Sequence, residues 1–328
     1  EIMPSLVGSE MCIRDRVHAE GYLYEHELEM KTSGPNSKKP GTEFIRGTIG
    51  IATDEELKNI VEFHFTYVTA TTSTGKSNAT FTLLKDIIDG RLKTAMEEGK
   101  EGAAKLRIDS AIGLNDFYTE NGGEWRLASP KRNEGGFVHV ITDEINDSSR
   151  NYFTLDMVIT RATRLEEDEE RKLPERMTLG GVCFDFRGQI LPIELLVYNP
   201  KAMDYFEGCE ISNQNPLCTE VSGNQVNTTI VREIREENAF GDDIVRESTS
   251  TRKEYVLTRS AKVPYEWDSE DFITAEKLAE LVSERETYLA GVKQRAIEWK
   301  EQRANQAAPV TASATAKPAA STSGGFNF

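Results

Sequence analysis

IVEFHFTYVT, residues 60–69, alternates cleanly: Val61, Phe63, Phe65 and Tyr67 fall on one face, and Glu62, His64 and Thr66 on the other. A period of two is the pattern of a half-buried β-strand. Upstream, residues 17–31 (VHAEGYLYEHELEMK) and 42–53 (TEFIRGTIGIAT) also have strand character. The loop between them is turn-rich, with Gly34-Pro35-Asn36 and Pro40-Gly41. Downstream, residues 79–99 place Leu83, Leu84, Ile87, Ile88 and Leu92 at helical spacing. Residues 104–119 are strand-like again. Residues 121–136 form a loop holding Gly122-Gly123 and Ser129-Pro130, and FVHVI at 137–141 closes the unit. The unit therefore runs three strands, a helix, two strands.

The second half of the chain repeats that order. Residues 153–167 take the place of the first strand and 176–186 of the second, with Gly180 where Gly47 stood and Val182 where Ile49 stood. Residues 189–199 form the third strand, 200–208 a short helix, 219–234 the fourth strand and 252–263 the fifth. This order resembles that of the OB-fold, a five-stranded Greek-key barrel that binds oligonucleotides or oligosaccharides on strands 2–3 and on the 1–2 and 4–5 loops. The expected fold class is mainly β with minor α: two tandem OB-fold-like barrels, a C-terminal helix and a disordered tail. The expected boundaries are 17–149 and 150–267 for the barrels, 268–303 for the helix and 304–328 for the tail. Residues 1–16, EIMPSLVGSEMCIRDR, resemble translated sequencing-adapter read-through and are set apart, with a native start expected near Val17.

Composition agrees with two domains. The chain has 328 residues, and domains average roughly 150. With 39 basic and 55 acidic side chains the net charge is −16, which argues against coating of duplex DNA but leaves room for a local basic face. Hydrophobic content of 38% is too high for a disordered chain. No apolar run approaches the ~18 residues of a membrane span. The cysteines Cys12, Cys183, Cys209 and Cys218 form no CxxC pair, so a zinc knuckle is not expected, and a reducing compartment fits.

The loops of the two units differ in charge. In the first, residues 31–41 carry Lys31, Lys38 and Lys39 and no acid. Residues 121–134 carry Arg126, Lys131 and Arg132 against Glu124 and Glu134, with Trp125 among them and Phe117-Tyr118 just before. Cations beside rings suit a single strand, because charge follows the phosphates and rings stack on bases. In the second unit residues 166–176 hold six acids and three bases, a face phosphate avoids. The first unit is thus expected to bind, through Lys31, Lys38, Lys39, Arg46, Phe117, Tyr118, Trp125, Arg126, Lys131 and Arg132. Arg246, Arg252 and Lys253 form a weaker patch in the second.

Residues 274–303 read as a charged amphipathic helix, capped by Thr274, whose stripe of Leu278, Leu281, Val282, Leu289, Val292 and Ala296 is expected to dock on the second barrel. From Ala304 the chain turns to Ala, Pro, Thr and Ser and ends Gly324-Gly325-Phe326-Asn327-Phe328. The tandem order, the segment GTEFIRGTIGIATDE…VEFHFTYV and the GFNF ending resemble single-stranded DNA-binding proteins, particularly those of bacteriophages. The resemblance implies non-specific binding of single-stranded DNA and a role in replication, recombination and repair within the cytoplasm of a bacterial host. It also implies recruitment of partners through Phe326 and Phe328, with room for a homo-oligomer. The tail lacks the family's acidic run. A phage assembly protein, or a mediator acting through protein contacts, is the alternative.

Enzymatic signatures are not found. Gly75-Lys76-Ser77 suggests a phosphate loop, but GxxxxGK[ST] requires glycine at the position of Ala70. His18, His26, His64 and His139 form no HExxH, and no GxSxG appears. No cofactor and no metal are expected.

Overall fold

Alternation carries into the structure, a computed structural model that describes residues 16–72, 74–147, 150–168, 173–185, 187–236 and 244–307. The first unit comprises β1 (Arg16–His26), β2 (Glu29–Thr32), β3 (Glu43–Ala52), β4 (Ile60–Thr69), α1 (Ala79–Ile88), α2 (Ala95–Gly102), β5 (Lys105–Leu114), β6 (Phe117–Asn121), β7 (Glu124–Ala128) and β8 (Lys131–Val140). β1, β3, β4, β8 and β5 close into a ring. Its pairings are antiparallel except β4–β8, which is parallel. That closure is the OB-type barrel. Val61, Phe63 and Phe65 of β4 are buried inside it.

Tyr67 departs from the expected face: it is 47% exposed. The pairing explains it. Phe65 lies opposite Gly47 and Val68 opposite Ile45, so Thr66 and Tyr67 together face the single residue Arg46. A bulge of this kind shifts the alternation by one residue. Val68 now packs toward the core and Tyr67 turns outward. Gly47 supports the bend: its φ is 131°, and a Cβ there would lie 2.0 Å from the Glu27 carbonyl oxygen.

The single helical stretch expected over 79–99 is two helices. Gly90, at φ 70°, ends α1, a conformation glycine adopts without strain. Thr94 and Glu97 then form a reciprocal capping box that starts α2. α1 buries Leu84 and Ile87 against the barrel. The strand expected over 104–119 stops at Leu114, and a hairpin, β6–β7, spans its end and the first part of the loop expected at 121–136. It is turned by Gly122 and Gly123, both at positive φ as a two-residue primed turn requires, and β8 begins at Lys131, inside that expected loop.

The second unit comprises β9 (Asn151–Leu165), β10 (Arg176–Phe184), β11 (Ile190–Val197), α3 (Pro200–Gly208), β12 (Leu217–Glu236) and β13 (Ile244–Ser260). β9, β10, β11, β13 and β12 close in the same way, again with one parallel pairing, β11–β13. β12 and β13 pair as far as Glu236 and Ile244. The two rings share one sheet: Arg16–Ala19 of β1 pair with β9 on one side while Val17–Ala19 pair with β5 on the other. One apolar cluster runs through both barrels, from Phe63 and Ile49 to Phe153 and Met177.

α4 (Ala275–Ala307) follows, running past the expected end at Arg303. Thr274 Oγ1 accepts the Lys277 amide at 3.2 Å, and the Asp268 carboxylate accepts the Ala275 amide at 2.8 Å. Leu278 and Leu281 pack on the second barrel with Phe184, Ile190 and Phe272 as expected, but Val282 of the same stripe is exposed, and Val292 and Ala296 line the cleft against the first barrel's hairpin instead. The C-terminal half does something else: it crosses to the β6–β7 hairpin of the first barrel. There the Arg285 guanidinium meets the Asp116 carboxylate at 2.9 Å, with side chains 13% and 3% exposed. Phe326 and Phe328 lie outside the described residues. No helix among the described residues is long and apolar enough to cross a membrane.

Candidate nucleic-acid interface

The bulge in β4 builds the first surface. Tyr67 lies on the outer face of the β2–β3–β4 sheet against Phe44, ring centroids 4.5 Å apart, and its hydroxyl lies 3.2 Å from Ser33 Oγ. Beside the rings, Arg46 Nε donates to Glu29 at 2.5 Å and Lys31 reaches the same carboxylate at 2.9 Å. These two cations hold the Glu29 carboxyl below the usual carboxylate range, the Lys31 hydrogen bond most of all. Lys38 and Lys39 are exposed on the neighbouring turn and make no ion pair among the described residues. Further along β4, burial pushes the His64 imidazole below its ordinary pKa.

Lys131 and Arg132 occupy a different place, the seam between the barrels. Lys131 Nζ donates to the Glu194 carbonyl at 2.7 Å and sits 5.0 Å from the Tyr255 ring centroid. Burial pushes its ammonium below the ordinary lysine range. Arg132 pairs with Glu134 at 2.6 Å. Between them, Asn133 and Gln225 exchange amide hydrogen bonds of 2.9 and 3.0 Å, and Tyr255 donates to Asn133 at 3.1 Å. Buried amides must be satisfied in this way, so the seam is a fitted polar joint.

The hairpin holds the remaining candidates. Its register puts Tyr118, Glu120, Trp125 and Leu127 on one face. Tyr118, Glu120 and Trp125 line a cleft against α4, and Lys293 and Lys300 place their ammonium groups 5.9 Å from the Tyr118 and Trp125 ring centroids. Phe117 is exposed on the opposite face, with Arg126, whose guanidinium lies 3.4 Å from the Glu124 carboxylate. The ten expected residues thus fall in three groups: Lys31, Lys38, Lys39 and Arg46 on the β2–β4 face; Lys131 and Arg132 at the seam; Phe117, Tyr118, Trp125 and Arg126 on the hairpin. The sequence reading missed Phe44 and Tyr67. A signal existed for Phe44: with Ile45 next to it in a strand, the two cannot share one face.

On the second barrel several described cations are paired with acids. Tyr198 donates to Glu254 at 2.9 Å and accepts from Arg252, while burial and the Glu254 hydrogen bond push the phenol up to about 12. Arg164 meets Glu175, Asp204 and Glu207 at 2.7, 3.3 and 3.0 Å. Lys253 meets Glu62 across the seam at 2.5 Å. The Gly75-Lys76-Ser77 segment closes a tight turn. The Gly75 and Lys76 amides are consumed by Thr72, at 2.9 Å to its carbonyl and 3.2 Å to its hydroxyl, so they do not cradle phosphate. Among the described residues, no group of three or more His, Cys, Asp or Glu could hold a metal ion.

Fold and surfaces together define a mainly β protein of two closed five-stranded rings, the first an OB-type barrel, with an aromatic–cationic face on that barrel and a helix-covered hairpin beside it. The chain belongs to the YorF family, whose model matches residues 14–295. Two solved structures of the single-stranded DNA-binding protein from Thermus aquaticus are similar to it at 9% identity. The wild type has a TM-score of 0.42 and covers 77% of this chain and 94% of its own; a deletion mutant has 0.41, with 77% and 95%. No curated protein matches.

Proposed function

We propose that the protein binds single-stranded DNA without reading its sequence, through the outer face of the first barrel. The observation that carries this reading is the Phe44–Tyr67 ring pair standing open beside Lys31, Arg46, Lys38 and Lys39. Bases stack on the rings for about 1–3 kcal/mol each, tolerant of base identity because every base has a π-face. Phosphates are met by Lys38 and Lys39, and compete with Glu29 for Lys31 and Arg46. The acid-paired face of the second barrel gives a strand little to hold, so the units at 17–149 and 150–267 divide the work. A place in phage replication or recombination, in a host cytoplasm and with partners recruited through the tail, belongs to the same reading.

The test is titration with labelled oligo-dT over a salt series, with duplex as competitor. Binding should weaken with salt at a log–log slope of about −0.7 for each phosphate neutralised. Reversing charge at Lys38, Lys39 and Arg46 should flatten that slope by about two units, the share of three phosphates. An affinity unchanged by these reversals, or no binding at low salt, overturns the reading.

A further inference from the structure

The cleft between the β6–β7 hairpin and the C-terminal half of α4 has a volume of about 720 Å³, within the ~300–1,000 Å³ of ordinary ligand clefts. Four rings line it: Tyr118 and Trp125 from the hairpin, Tyr288 and Trp299 from the helix. Packing of α4 has not buried them all, since Tyr288 is 51% and Trp299 60% exposed. Three of the four carry a cation over the ring: Lys293 at Tyr118 and Lys300 at Trp125, each at 5.9 Å, and Arg303 at Trp299, at 4.8 Å.

The charge of α4 changes sign at this point. Residues 275–286, over the second barrel, hold four acids against two bases; residues 287–303, over the cleft, hold Lys293, Arg295, Lys300 and Arg303 against two acids. Lys300 is paired with the Glu120 carboxylate of the hairpin, whereas Lys293 and Arg295 make no ion pair among the described residues. Rings faced by cations are what a single-stranded nucleic acid uses: a base takes the ring and the displaced cation takes the phosphate.

We propose that this cleft is a second, separate holding site for single-stranded nucleic acid, in which α4 and the hairpin form the two jaws. The proposal rests on the reading of the first-barrel face, and it extends the bound strand beyond that face. Bases stack on Trp125 and Trp299, and phosphates are met by Lys293, Arg295 and Lys300. The Arg285–Asp116 pair anchors the helix beside the hairpin.

Two of the chain's three tryptophans lie in the cleft, and the third, Trp267, packs beneath α4 on the second barrel. In full-length protein carrying Trp267→Phe, tryptophan emission excited at about 295 nm therefore comes only from the cleft. It is titrated with an oligo-dT short enough for one barrel, about 8 nucleotides, and with one of about 30. The long oligonucleotide should quench the fluorescence and bind more tightly than the short one. Trp299→Ala with Lys293→Glu and Arg295→Glu should weaken the long oligonucleotide about ten-fold or more, as for one stacked base, and leave the short one unchanged. Trp299→Phe alone, which keeps a ring, should retain most of the affinity that Trp299→Ala alone loses, and this guards against a folding artefact. Short-strand binding with no quenching and no sensitivity to the cleft variants overturns this proposal alone. Failure of both oligonucleotides to bind overturns the first-barrel reading and this one with it. Quenching by an acidic peptide but not by oligo-dT overturns it in favour of a protein partner.

Discussion

Tyr67 shows how one inserted residue converts core into surface. Its neighbours Phe63 and Phe65 obey the alternation of residues 60–69 and are buried. Tyr67 obeys the bulge opposite Arg46 and stands outside. Truncating Phe44 or Tyr67 to alanine should each weaken oligo-dT binding by about 1–3 kcal/mol while leaving the urea midpoint nearly unchanged. Tyr67→Phe should retain the affinity, since the ring and not the Ser33 contact does the stacking. Fluorescence anisotropy with the same labelled oligonucleotide measures all three. The lysines of the 31–41 loop are legible in the sequence because a run of bases without acids needs no partner strand to interpret it. The Phe44–Tyr67 pair is not legible in full, because the phase of β4 is set by its pairing with β3, and pairing is a long-range fact.

At the scale of elements, local signals are legible in the sequence and their docking is not. Thr274 starts α4, and the expected helix at residues 200–208 coincides with α3. The strand order is legible because strand-forming runs alternate with turn residues along both halves of the chain. What α4 touches beyond Leu281 is a different matter. Its partner is a hairpin about 170 residues earlier in the chain, brought near only when both barrels have closed. Likewise Trp125 reads as a free loop ring until the β6–β7 register turns it toward α4. The Arg285–Asp116 pair is buried enough that removing one partner strands the other. Asp116→Ala should therefore cost about 3–5 kcal/mol of the local docking energy. Hydrogen exchange of the amides in residues 285–303 should rise sharply in that variant, while the amides of β9–β12 stay protected. Equal protection in the two proteins would show that the helix is held by its apolar contacts instead.

At the scale of the whole molecule, Glu55 ties the first barrel to the approach to the second. Its carboxylate takes Lys100 of α2 and Arg150, just before β9. Hydrogen bonds from Lys100 first, then Arg150, lower its pKa from 4.5 to about 2. A carboxyl held lower in the folded state stabilises fully above its unfolded value, and loses that contribution as pH falls through the folded one. The protein should accordingly lose stability between about pH 4.5 and pH 2, and Glu55→Gln should show a shallower decline across that window in acid titrations followed by circular dichroism. A tandem repeat is legible in the sequence; the joint between its halves is not, because Asn133, Gln225 and Arg150 carry no pattern that marks them as seam residues. The same joint decides how the molecule behaves as an object. Val17–Ala19 serve both barrels at once, hydrogen-bonded to β5 on one edge and to β9 on the other. Two barrels on a flexible tether would each search for ligand alone, gaining only the effective concentration that the tether allows. Barrels joined strand to strand, β1 against β9, have no tether to stretch and no swivel to lock. The spacing between their outer surfaces is a constant of the fold, so the protein works as a ruler rather than as beads on a string.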